Sequence, residues 1–345
     1  MQMLINLEHP HKQTEPSMPL LQLGFRPFFL LAGISAALFI LVWGLFFSSS
    51  RIAGLNVTAY GPVYWHGHEM IFGFVAAVVA GFLLTAVKNW TGRQTATGTL
   101  LLMLVLLWLL ARVLPFIPAT FPYWMIALID ISFLPAVAAS LLPLLIKTRN
   151  FRNLIFIGIL LLLSAANIVF HMGVAGWFEY GQRYGLHAAI YMIILLISIM
   201  GGRVIPFFIE RGLADGFQRR SYPVIEISAS LVLLLLGVLH TANVSGVYII
   251  TVAVMAAVLH FIRLAGWYSK GIWRVPLLWV LMLAYGWIVA GLFLMALALA
   301  GWFAVSLALH ALTIGGIGLM TMGRMVRVSM GHSGRNLLAP GMMPA

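Results

Sequence analysis

The chain of 345 residues contains no cysteine. Disulfides, zinc ribbons, iron–sulfur clusters, thiolate-ligated haem and cysteine nucleophiles are therefore excluded, and any metal must be held by His, Met, carboxylate or carbonyl groups. Charge is nearly as scarce. Only 8% of residues are charged against 62% hydrophobic ones, a balance that excludes a soluble globule of this size. The rarest class is acidic, with 8 Asp and Glu against 20 Lys and Arg and a net charge of +12. In a soluble protein that excess would suggest nucleic acid, but there is no basic tail and no nucleic-acid motif, so the expected partner is membrane lipid and not nucleic acid. The first 26 residues have neither the basic start nor the cleavage site of a signal peptide. The 18 Met lack the clustered Met-x-x-Met spacing of a soft-copper pathway, and no clear repeat relates residues 1–172 to 173–345.

What is present is a series of apolar runs. A spanning helix needs about 20 mostly apolar residues. Ten such runs occur, at roughly 27–47, 67–87, 98–116, 123–146, 153–172, 185–205, 222–240, 246–263, 276–299 and 302–323. The expected fold is an all-α polytopic integral membrane helical bundle, with a single bundle over 27–325 between tails at 1–26 and 326–345. Lys and Arg are distributed unevenly over the connections. Fifteen, from Lys88 and Arg93 through Arg203 and Arg263 to Arg324, Arg327 and Arg335, lie after even-numbered helices, against Arg51 and Arg183 opposite and Arg112 inside a helix end. That bias predicts that both termini are cytoplasmic.

Orientation sorts the ten histidines by depth at about 1.5 Å per helical residue. His66 and His68 open helix two at the outer face, His171 closes helix five, His187 opens helix six and His240 closes helix seven there. His310 lies some eight residues into helix ten, roughly 12 Å deep. His260 falls near the inner face, with His9, His11 and His332 in the tails. A single histidine at a helix end is ordinarily an interfacial, hydrogen-bonded residue. Six in one layer point instead to a cavity or a metal, because ionisable groups are costly in lipid and neutral imidazole is the commonest metal ligand. Without thiolates, haem or copper on histidine leads.

The densest chemistry is Trp65-His66-Gly67-His68-Glu69-Met70. On a regular helix His66 and His68 diverge by roughly 200°, so they share an ion only if Gly67 permits an irregular turn. Glu69, three residues after His66, is expected on its face as an imidazole acceptor or proton relay, or else as an acidic residue favoured at a helix start. Tyr191 lies four residues after His187 and is expected to hydrogen-bond whatever His187 holds. Glu69 and Tyr191 are thus the candidates for proton handling. Gly315, Gly316 and Gly318 follow His310 and suit either a flat macrocycle or helix packing. Arginines at the inner ends suit lipid phosphate, haem propionates or an anionic substrate, with snorkelling as the default.

Five strings in order, Gly24-Phe25-Arg26-Pro27-Phe28-Phe29, Trp65 to Phe74, Gly81 to Val87 with Asn89-Trp90-Thr91-Gly92, Gly201 to Phe208, and His310 to Thr313 continuing to Gly331-His332-Ser333-Gly334-Arg335, resemble the NnrS family over about residues 20–335. The resemblance implies a bacterial inner-membrane protein that binds haem and copper and is associated with nitric oxide and nitrosative stress. Relatives of this type carry a further pair of spanning helices beyond the ten counted here. Motif matching supports His66, His68, Glu69, His187 and His310, with His171 next and His240 resting on depth. His310 and one of His66 or His68 are expected as axial ligands of a haem, b-type by preference, leaving the other outer histidines for copper or a second haem.

Three functions stay open at this point. The first is a haem and copper protein that binds or detoxifies nitric oxide or another diatomic gas. The second is a redox enzyme resembling heme–copper oxidases, which needs an electron donor and a proton path for which only Glu69, Asp130 and Glu226 are available within the spans. The third is a small-solute or metal transporter, which the missing repeat disfavours.

Overall fold

The computed structural model describes residues 18–48, 59–117, 121–213, 217–218 and 222–332. Glu8, His9, His11, Lys12, Glu15, Arg51, Arg219, Arg220 and Arg335 lie outside them. Among the described residues there is no strand, and ten helices are long and apolar enough to cross a membrane. They are α1 Phe25–Phe46, α2 Pro62–Thr91, α3 Gly98–Phe116, α4 Tyr123–Lys147, α5 Phe151–Val174, α6 Gly181–Gly212, α7 Pro223–Thr241, α8 Val247–Gly266, α9 Pro276–Leu299 and α10 Val305–Gly331. The protein is a polytopic helical membrane protein. Each apolar run maps to one helix because, without water, the backbone satisfies its own hydrogen bonds only in a helix or a closed barrel.

Three boundaries differ from the apolar runs. Helix α2 opens at Pro62, behind Gly61 at φ 75°, so His66 and His68 lie inside the helix and not at its opening. Proline suits a first helical position, where its missing N–H has no intrahelical partner. Helix α6 continues through Pro206 to Gly212, so that proline is interior and marks no boundary. Helix α10 continues to Gly331, which carries Arg324 and Arg327 within the helix. The apolar runs stop short of these turns because proline, histidine and charged residues interrupt them, although the turns are helical.

Two helices contain a wider turn. In α2 the stretch Glu69–Val75 is π-helical, and in α10 so is Ala311–Gly318. Each begins directly after a histidine, His68 or His310. A π segment inserts extra residue into the turn and rotates every later side chain relative to the regular phase.

Burial ranks the helices. Within the apolar windows 78% of α2 and 67% of α6 is buried, against 28% of α1 and of α7, so α2 and α6 form the interior and the others surround them. Sequential neighbours pack throughout, most extensively α5 on α6, with α2 also on α4, α6 on α9 and α10, and α10 returning to α1. Glycine makes the α5–α6 approach possible. A Cβ on Gly185 would stand 2.5 Å from the Ala166 carbonyl oxygen and 2.7 Å from the Phe170 nitrogen. Gly185→Ala must push backbone apart, and overpacking of this kind is expected to cost about 1–3 kcal/mol. Thermal unfolding in detergent checks it against Gly158→Ala, whose added Cβ meets nothing within 4 Å.

Candidate metal centre

The six histidines placed in one layer by depth do not form one group: two ring pairs form, and His66 and His310 belong to neither. His66 diverges from His68 as regular helix geometry requires, since α2 stays α-helical through both and Gly67 is occupied by packing: a Cβ there would meet Leu186 Cδ1 at 2.8 Å. His66 faces outward from the centre, its ring stacked on Trp43 at 4.4 Å, with exposed His310 within electrostatic range. His68 points inward and meets His171, ring centroids 5.6 Å apart and nearly perpendicular at 75°. His187 stacks on His240 at 4.8 Å and 14°.

The His68–His171 pair lies in the most strongly charged buried cluster of the bundle. His68, Glu69, Arg112, Asp130, Asn167 and His171 are each no more than 5% exposed. Arg112 reaches from α3 to donate through Nη1 to both Glu69 oxygens at 3.0 and 2.9 Å, and through Nη2 to Asp130 Oδ1. The remaining Asp130 oxygen, Oδ2, accepts from Asn167 Nδ2 at 2.7 Å and lies 3.0 Å from Nε2 of both His68 and His171. The outer nitrogens are also held: His68 Nδ1 is 3.2 Å from Glu69 Oε1, and Tyr123 Oη is 2.6 Å from His171 Nδ1.

Counting protons shows what this cluster lacks. His171 is satisfied as a neutral ring, with the Tyr123 hydroxyl donating to Nδ1 and Nε2–H donating to Asp130. His68 is not, because its Nδ1 faces a carboxylate while its Nε2 faces Asp130 Oδ2 and the Asn167 carbonyl oxygen at 3.1 Å. A neutral imidazole has one N–H, so one of these sides needs a proton or a metal ion. Two carboxylates against one guanidinium leave the same deficit of one positive charge.

A cation fits. His68, Asp130 and His171 offer ligand atoms that all lie within 4.8 Å of one another. Two imidazole nitrogens and a carboxylate oxygen suit copper, zinc or iron, and ligating imidazoles whose other nitrogen is hydrogen-bonded are the usual arrangement. The walls are aromatic: Phe170, Phe72 and Tyr60 stand 4.5, 5.0 and 5.1 Å from the His68 ring. Burial pushes the Tyr60 phenol up from its ordinary value, so it remains neutral beside the charges.

The other histidines offer less. Parallel rings put the lone pairs of His187 and His240 side by side, so the two do not converge on one ion as placed. Tyr191 hydrogen-bonds His240 Nδ1 at 3.0 Å and not His187, because His240 from α7 occupies the position above the phenol. His310 Nδ1 donates to the Ser306 carbonyl at 2.7 Å, which leaves the lone pair of Nε2 free to hold a metal, and His66 Nδ1 is buried without a partner. By donor chemistry these two fit haem ligation, whereas buried His68 does not face His310. The glycines after His310 are used in packing: a Cβ on Gly315 would meet Trp287 Cδ2 at 2.6 Å, and one on Gly316 would meet Ile288 Cγ1 at 2.8 Å.

Glu69 turns away from His66 toward Arg112, against the expectation of a shared face. Asp130 figured in the sequence only as one of three intramembrane carboxylates and Arg112 only as a helix-end charge, while Asn167 and Tyr123 carried no signal. A buried Arg and Asp within apolar runs do point to one another, since such charges in lipid usually pair.

A family model described as NnrS protein matches residues 19–345. No curated protein and no solved structure matches the chain.

Proposed function

Because this chain belongs to the NnrS family, we propose that it is a haem- and copper-binding protein of the bacterial inner membrane that binds or detoxifies nitric oxide. The observation that carries this reading is the convergence of His68 Nε2, His171 Nε2 and Asp130 Oδ2 in a buried cluster one positive charge short. Copper held by these three would supply a redox-active centre, and haem held at His310, with His66 beside it, would supply an iron that takes a diatomic gas. Arg112 pairs with both Asp130 and Glu69, Glu69 and Tyr123 orient the two rings, and Asn167 holds the ligating oxygen in place. Nitric oxide is small, neutral and lipid-soluble, so the aromatic wall of Phe72, Phe170 and Tyr60 admits it without a polar channel.

A binder is favoured over a proton-consuming reductase by the pairing of Glu69 and Asp130 with one arginine, which ties up two of the three carboxylates available to relay protons. Protein purified after expression with haem and copper supplied is expected to show a Soret band that His310→Ala removes and copper that His68→Ala removes. Protein with neither group would overturn the reading. Under anaerobic conditions with an artificial electron donor, uptake of nitric oxide is expected to stop at stoichiometric amounts, and sustained consumption would establish the reductase instead.

A further inference from the structure

At the opposite end of the bundle from the metal centre, two cavities meet at Arg203. One, of about 870 Å³, is lined by Arg152, Arg203 and Arg263 with Glu226 as its sole acidic residue. The other, of about 610 Å³, is lined by Arg203, Arg324 and Arg327 with Phe82, Phe207 and Phe208, and has no acidic lining residue. Trp90, Met200, Arg203 and Val204 belong to both walls, so the two form one groove around α6. Three of the strings singled out in the sequence, around Phe82 and Trp90, at Gly201 to Phe208, and in the stretch ending at Gly331, come together here although the metal centre uses none of them.

The charge in this groove is unbalanced. Arg263 is neutralised by Glu226 at 2.6 Å and anchored by Ser198 and Tyr285, each also at 2.6 Å. Arg152, Arg203, Arg324 and Arg327 have no carboxylate partner among the described residues. The last three do not simply extend toward water. Arg327 lies over the Phe208 ring at 3.5 Å, Arg324 over Phe82 at 5.6 Å and Arg203 over Phe156 at 5.6 Å, with Arg203 Nη1 also donating to Asn153 at 2.9 Å. Rings that support guanidinium faces leave the in-plane N–H groups available, the fork that matches phosphate oxygens.

We propose that this groove is a binding site for an anionic phospholipid, whose phosphate is held by Arg203 with Arg152, Arg324 and Arg327 and whose apolar body lies on Phe82, Phe207 and Phe208. A fully hydrated anion would satisfy the arginines but leave the aromatic lobe in contact with water, whereas a neutral lipid would leave the arginines uncompensated. The amphiphile answers both halves of the groove.

Purified full-length protein in mixed micelles of phosphatidylglycerol and phosphatidylcholine, read by native mass spectrometry, is expected to retain phosphatidylglycerol selectively. The preference should fall by roughly fivefold for each arginine neutralised in R203Q and R327Q, the equivalent of about 1 kcal/mol per basic residue at an anionic lipid surface. R26Q serves as control, since Arg26 donates to the Pro19 carbonyl and lines neither cavity. If the glutamine variants do not fold, R327K keeps the charge without the fork, and it is expected to lower retention by a smaller factor. Equal retention of the two lipids, no difference between R203Q or R327Q and R26Q, or displacement of the lipid by millimolar inorganic phosphate would each overturn the proposal, the last by making the site one for a soluble anion.

Discussion

Replacing Arg112 by glutamine is expected to destabilise the bundle by about 3–5 kcal/mol, the usual cost of removing one partner from a buried ion pair. The effect should reach the upper end of that range because one guanidinium serves two acids. Glu69 and Asp130 are 1% and 4% exposed, and Arg112 donates to both, so its loss leaves two carboxylates facing each other in a medium that cannot solvate them. Gly73 adds a steric element. A Cβ there would stand 3.0 Å from Glu69 Oε2 and 3.2 Å from Arg112 Nη1, so the π-helical turn has been kept clear for this pair. Thermal unfolding followed by tryptophan fluorescence measures the loss. Removing the stranded charges as well, in R112Q with E69Q and D130N, should recover a large part of it, and Arg112→Lys should fall between because ammonium cannot fork to two acids. An unchanged midpoint for Arg112→Gln would mean that the cluster is not held by ion pairing.

Removing His171 is expected to eliminate stoichiometric copper, and Tyr123→Phe to weaken copper binding by about 10–100-fold, the range typical of partners that orient a metal-ligating histidine. The two changes test different statements. His171 supplies one of the three converging atoms, whereas Tyr123 touches only the far nitrogen, at 2.6 Å, and sets which nitrogen of the ring carries the proton. With a metal on Nε2 the ring proton sits on Nδ1 and is donated to Tyr123 Oη, and without that acceptor nothing holds the ring at the rotation that aims Nε2 at the metal. Copper content of the purified protein and competition with a chelator of known affinity separate loss of a ligand from loss of orientation. Retention of one copper per chain by His171→Ala would remove this cluster as the copper site, and Tyr123→Phe matching the parent protein would show that the hydrogen bond does not set ring orientation.

How much of this was legible beforehand depends on the range of the physics involved. The ten helices could be read because each is a local property: about 20 apolar residues are needed wherever a chain crosses a bilayer. The divergence of His66 and His68 was legible for the same reason, since two residues on one helix keep a known angle. Partners on different helices were not. Glu69 was expected to serve His66 three residues earlier, and instead meets Arg112, 43 positions away, and its immediate neighbour His68. Tyr191 was expected to serve His187 four residues earlier, and meets His240, 49 positions away. In both cases the regular-helix rule was sound and a neighbouring helix supplied a better-placed partner. Asn167 shows the limit more plainly, because one amide in a long apolar run carries no mark of what it faces.

The sequence by itself determined a membrane bundle with ten crossings, no thiolate chemistry and a concentration of histidine toward one end, because composition and run length act residue by residue. Only the tertiary structure decided which histidines meet. Packing of α3, α4 and α5 around the π-helical turn of α2 brought His68, Asp130 and His171 onto one point and placed Arg112 behind them. The same packing left His66 stacked on Trp43 and His187 on His240. A buried charge must find its complement wherever the fold places it, and that distance through space is not written in distance along the chain.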